Sequence, residues 1–116
     1  MDTMGDLITK INISKKATAL LTQLHAQLGL RPNILARNAL VLSMQNGDHF
    51  RSNIEVDTSG KEFNSYTLFG SNEKIYEMIL QQYYSGKLDN REWGKVISFH
   101  IEKGLIREDF NTILNS

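Results

Sequence analysis

The sequence predicts a mainly α domain in which a short N-terminal strand and two helices are followed by two to three further helices, and which assembles as an oligomer. Three observations carry this. The 116 residues, 41% of them hydrophobic, suffice for one compact core but not two. Apolar residues recur at spacings of three and four in four separate stretches, against a single stretch of period two. The longest apolar run, Ala39-Leu40-Val41-Leu42, falls far short of the ~20 residues of a bilayer crossing or the ~7 to 15 of a signal peptide, so a cytoplasmic protein with no membrane partner is expected.

The period-two stretch comes first. Over residues 7–13, Leu7, Thr9, Ile11 and Ile13 share one face, and Ile8, Lys10 and Asn12 the other. Ser14 is placed to cap a first helix carrying Ala17, Leu20, Leu21, Leu24 and Leu28. Gly29 suits the left-handed position that ends it, with Leu30 folding back on Leu24. Pro32 fits the first position of a second helix, which meets no breaker through Met44. Here Ile34, Leu35, Ala36, Ala39, Leu40, Val41, Leu42 and Met44 cover more than one stripe, a pattern that predicts a subunit interface including Leu40 and Leu42.

A strand followed directly by two helices has no hairpin partner nearby, and its unpaired backbone groups call for a strand from another chain. The order resembles a ribbon-helix-helix arrangement. In that reading Ile11 and Ile13 join Leu40 and Leu42 in the oligomer interface, and Lys10 and Asn12 face a DNA groove. Arg31 and Asn33 flank a helix N-terminus whose free N–H groups suit a phosphate.

From Gly47 to Gly70 the pattern loosens into loop with some extended structure, including a turn at Asp57-Thr58-Ser59-Gly60. Ser71 or Asn72 then caps a third helix bearing Ile75, Tyr76, Ile79, Leu80 and Tyr83. A D-x-x-E capping pattern, Asp89 to Glu92, opens a fourth with Trp93, Val96, Ile97, His100 and Ile101 on its stripe. Phe110, Ile113 and Leu114 suggest a short terminal helix.

Thirteen basic and thirteen acidic residues cancel, but unevenly: residues 7–47 hold Lys10, Lys15, Lys16, Arg31 and Arg37 with no acid, while eleven acids and eight bases follow from Asp48. A +5 window ahead of a −3 remainder predicts one cationic face for a polyanion. Lys15 and Lys16 open a helix at the positive end of its dipole, which points to an external anion. Zero cysteines exclude disulfides, thiolate metal sites and cysteine nucleophiles. The three histidines match no metal-ligand spacing, and no nucleophile–base constellation stands out. His100, on an apolar stripe, reads as a hydrogen-bonded core residue.

Three segments together resemble the DndE family of the DNA sulfur-modification system: Gly29-Leu30-Arg31-Pro32-Asn33 leading to Arg37-Asn38-Ala39-Leu40, then Asp57 to Gly70, then His100-Ile101-Glu102-Lys103-Gly104-Leu105. The middle one, with Gly60-Lys61-Glu62-Phe63-Asn64, Tyr66-Thr67-Leu68 and Gly70, is the most specific. The run departs from the family at Ser65 and Lys103, where arginine is expected. The resemblance implies that residues 1–116 form a single DndE-like domain, with 6–45 as its ribbon-helix-helix-like part and 71–116 as its helical part. It also implies a non-catalytic, cofactor-free homotetramer that binds nicked double-stranded DNA through surface lysines, here Lys10, Lys15, Lys16 and Lys61, with Arg37 in the same basic set. Its partners would be a cysteine desulfurase, an iron-sulfur protein and an ATPase in DNA backbone phosphorothioation. Two other readings stand beside it: a ribbon-helix-helix transcriptional regulator on a palindromic operator, and a scaffold that binds only proteins.

Overall fold

The computed structural model describes residues 10–87 and 90–107. Strand β1 (Lys10–Asn12) leads through Ser14 into α1 (Lys15–Leu28). The Ser14 hydroxyl accepts from the Ala17 N–H at 2.9 Å, as its position predicts. Gly29, at φ 74°, ends α1 through a bond from its N–H to the His25 carbonyl. Leu30, however, stays 43% exposed, so the helix closes with a simple left-handed cap and not the fold-back onto Leu24. Helix α2 (Pro32–Gln45) starts at the proline. Then follow strand β2 (Glu62–Asn64), a short helix α3 (Ser65–Phe69), α4 (Glu73–Tyr83) and α5 (Trp93–Leu105).

The structure corrects the lone-strand expectation. β1 pairs antiparallel with β2 of the same chain, Lys10 opposite Asn64, Ile11 opposite Phe63 and Asn12 opposite Glu62. Its backbone groups are satisfied from the stretch read as loop, so no second chain is needed for a ribbon. Ile11, Ile13 and Leu40, assigned to an oligomer interface, are instead at most 1% exposed in the core of this one chain. Leu42 is half-buried against that same core. The all-round apolar surface of α2 has an intramolecular explanation, because α5 crosses it closely and α1 and α3 pack on its other faces.

The α2–α5 crossing is set by one glycine. A Cβ built on Gly104 would lie 1.8 Å from the Ala39 carbonyl oxygen and 2.3 Å from its carbon. Only a residue without a side chain lets the two backbones approach so far.

Against α2 and α5 lies a buried polar chain. The Phe50 N–H donates to the Tyr84 hydroxyl at 3.0 Å, and Tyr84 in turn meets His100 Nε2 at 2.5 Å. His100 Nδ1 meets Ser43 Oγ at 2.8 Å, and Ser43 donates to the Asp48 carboxylate at 3.0 Å. One proton order satisfies every member: Tyr84 donates to Nε2, Nδ1–H donates to Ser43, and His100 is neutral. Burial agrees, lowering the His100 pKa to about 4 and pushing the Tyr84 phenol up to about 12. The core reading of His100 stands.

Two other expectations change. In α4 the buried positions are Glu77 and Leu80, with Tyr76 stacked on Phe69 at 4.8 Å. Ile75, Met78 and Ile79 face outward at 55%, 69% and 42% exposure. Glu92 makes no capping bond and instead accepts from the Ser52 hydroxyl at 2.9 Å. Leu7 to Thr9, Asp89 and the expected terminal helix lie outside the described residues.

Candidate nucleic-acid interface

The surface begins at Gly60. A Cβ there would sit 2.4 Å from both the Ser14 carbonyl oxygen and Thr18 Oγ1, so a glycine lets the 57–60 turn lie against the first turn of α1. Three bonds fix the contact: Gly60 N–H to the Ile13 carbonyl at 2.8 Å, Ile13 N–H to the Lys61 carbonyl at 3.0 Å, and Lys61 N–H to Thr18 Oγ1 at 2.8 Å. The Lys61 backbone is therefore anchored while its ammonium is exposed, 5.4 Å from the centroid of the Phe63 ring beneath it.

Lys61, Arg31 and Asn33 line one shallow cleft of about 420 Å³ at the start of α2, with Glu62 as the one acid against those two cations. Arg31 is exposed. Asn33 is half-buried and spends its amide on the Thr67 carbonyl at 2.9 Å, tying α2 to α3. Lys10 lies on the adjoining ribbon, exposed and 3.8 Å from the Glu62 carboxylate. Asn12, on the same strand face, is half-buried.

Lys15 and Lys16 are exposed on the first turn of α1. The anion that their position asks for is supplied by the chain itself: Asp57 accepts from the Lys15 N–H at 3.0 Å and from Ser59. The Ser59 hydroxyl, the Lys15 N–H and the Ser59 N–H hold its carboxyl below the usual carboxylate range. The head of α1 therefore needs no external anion, although both ammonium groups remain on the surface. Arg37 also departs from expectation. Its guanidinium donates to the Leu68 and Thr67 carbonyls at the end of α3 and lies under Gly70, so it pins α3 to α2.

Sequence reasoning found the cations but missed Asp57 as a second acceptor, beside Ser14, at the start of α1, and Asn64, whose side chain accepts from the Tyr66 N–H at 2.9 Å and starts α3. No signal in a 57–60 turn names its helix partner. Among the described residues, no group of three His, Asp or Glu side chains is placed to hold a metal ion, and no helix is long and apolar enough to cross a membrane.

Comparison with known proteins places this geometry. The family model of DNA sulphur modification protein DndE matches residues 10–112. Among solved structures, the crystal structure of DndE from Escherichia coli B7A, described as involved in DNA phosphorothioation modification, is 22% identical over 85% of this chain and 96% of its own, with a TM-score of 0.79. That of a DndE G21/24K mutant is 21% identical over 84% and 94%, with a TM-score of 0.73. No curated protein matches.

Proposed function

Because the chain belongs to the DndE family, and its role thus lies in the DNA sulfur-modification system, we propose that it is a non-catalytic, DNA-binding accessory of backbone phosphorothioation. In this reading it engages nicked double-stranded DNA beside the desulfurase, iron-sulfur protein and ATPase that do the chemistry. The observation that carries the reading is that Lys61, Arg31 and Asn33 line one open cleft, with Lys10, Lys15 and Lys16 exposed on the elements around it. Exposed cationic ends on ordered backbone suit phosphates, which are read through charge and position and not through sequence. The regulator reading loses its ground, since β1 is paired within the chain and offers no two-fold ribbon.

The test is a titration of intact, nicked and gapped duplexes of random sequence at several salt concentrations. Each phosphate contact contributes about 0.9 to the slope of log affinity against log salt. The Lys61→Ala, Arg31→Ala double variant is expected to lower that slope by about 1.8 on every sequence, with Lys87→Ala, in the acid-rich part, as the unchanged control. A double variant with the parent's affinity and slope would refute the placement of this surface.

The oligomer, proposed here as a homotetramer, also needs a different interface from Leu40 and Leu42. Ile75, Met78 and Ile79, at the i, i+3, i+4 spacing of one helix face, form an exposed apolar patch that suits subunit contact. Light scattering of the parent is expected to give a multiple of 13.2 kDa, and Ile79→Glu to lower it while leaving the helical signal intact. A parent mass of one chain sinks the proposal.

A further inference from the structure

A second cleft, of about 440 Å³, opens between residues 54–57 and α5, with Ser14 at one end. Its character is opposite to that of the first. Glu55, Asp57 and Glu102 line it against one cation, Lys103, whose ammonium lies 5.7 Å from the centroid of the Phe99 ring. A phosphate backbone would be repelled here. Ile54, Val56 and Phe99 supply apolar walls, and such walls concentrate the field of the carboxylates inside the cleft.

Two groups in it are incomplete. Ser98 is fully buried on α5 and lines the cleft, and among the described residues its hydroxyl has no hydrogen-bond partner. Buried hydroxyls are normally paired, so a ligand atom in the cleft would complete this one. Glu102 accepts from the Ser14 hydroxyl through Oε1 at 2.6 Å, and Oε2 has no hydrogen bond among the described residues. Asp57, by contrast, is engaged by the Lys15 and Ser59 N–H groups and supplies field more than contact.

The donors set the chemistry. The acids here are not grouped to ligate a metal ion, so their charge is best matched by a cation that donates hydrogen bonds. The apolar walls suit a methylene stem leading to that cation. We propose that this cleft binds an alkylammonium or guanidinium group on an aliphatic stem, its N–H groups donating to Glu102 Oε2 and to Ser98 Oγ while the stem lies against Val56 and Phe99. Such a group reaches the protein either as a lysine or arginine side chain of a partner or as a free aliphatic diamine.

The experiment titrates the full-length, DNA-free protein with N-acetyl-arginine methylamide, N-acetyl-lysine methylamide and a four-carbon diamine, following amide resonances by two-dimensional NMR. Tetramethylammonium, which carries charge but no N–H, is the control. At least one of the three probes is expected to move the signals of residues 54–57 and 98–103 at millimolar concentration, with the control silent. Glu102→Gln keeps an oxygen for Ser14 and is expected to fold, yet to weaken the probe about tenfold. Ser98→Ala removes a buried unpaired hydroxyl, so it should leave thermal stability equal or higher while weakening binding. Capped residues binding more tightly than the diamine identify a protein partner, and the reverse order identifies a polyamine. If no probe shifts these signals, if the control shifts them equally, or if Glu102→Gln binds as the parent does, the proposal is overturned.

Discussion

Replacing Gly104 by alanine is expected to lower the unfolding midpoint of the domain by about 10 °C or more, its added Cβ meeting the closest contact of any described glycine. The new Cβ would lie 1.8 Å from the Ala39 carbonyl oxygen, and both partners are helix backbone, so neither can move aside as a side chain would. Alanine is the better helix former by about 1 kcal/mol, which opposes the loss. Overpacking a tight core typically costs about 1–3 kcal/mol, and a clash of backbone with a new methyl belongs at or above the top of that range. The steric loss therefore wins, by several degrees per kcal/mol in a domain of this size. Gly94 provides the internal control. It lies on the same helix with nothing within 4 Å of an added Cβ, so Gly94→Ala is expected to be neutral or slightly stabilising. Thermal unfolding followed by far-ultraviolet circular dichroism checks both, and a Gly104→Ala midpoint within a degree or two of the parent would contradict the crossing described above.

The second large effect is on pH. His100 is fully buried and neutral, with its pKa lowered from 6.5 to about 4, desolvation being the dominant cause. The unfolded chain takes up this proton below pH 6.5, and the native one only below about 4. Between those values the unfolded state holds the extra proton, so the contribution is complete above 6.5 and is lost as the pH falls toward 4. At 1.36 kcal/mol per unit the loss comes to about 3 kcal/mol. Tyr84 acts at the other end: its phenol, pushed up to about 12, stays protonated when the unfolded chain ionises above 10, so stability falls again there. Urea unfolding between pH 4 and 7 should show the parent losing more stability than His100→Gln, which is weaker at pH 7 but flatter. An imidazole resonance assigned to His100 that titrates near 6.5 in the native protein would refute the proton order of the chain from Phe50 to Asp48.

The helices were legible because three- and four-residue spacing over a dozen residues is a strong signal, and Ser14 and Pro32 mark starts that the structure confirms. β2 and α3 were not, because three and five residues carry no usable period. The oligomer argument from α2 failed for a related reason: an all-round apolar helix says that it is surrounded, not by what, and here α5 of the same chain supplies the cover. α4 was legible as a helix but not in its facing, since burial follows Glu77 and Leu80 while Ile75 and Ile79 stay outside. On the candidate surface the cations could be named from charge spacing. Their neighbours could not: Asp57 at the head of α1 and the carbonyls that bind Arg37 come from distant positions, and only the folded chain brings them together.

The closure of α2 by α5 also fixes when the molecule can fold as it is made. Ala39 and Gly104 are separated by more than half of the chain, so a ribosome that has released both helices of the N-terminal hairpin has still to synthesise the helix that covers them. At about 5–20 residues per second, Leu35, Ala36, Ala39 and Leu40 wait for several seconds as an uncovered apolar strip outside the exit tunnel. The emerging hairpin thus presents, while it waits, the kind of apolar strip that chaperones of nascent chains recognise, and its core closes after translation has passed residue 105.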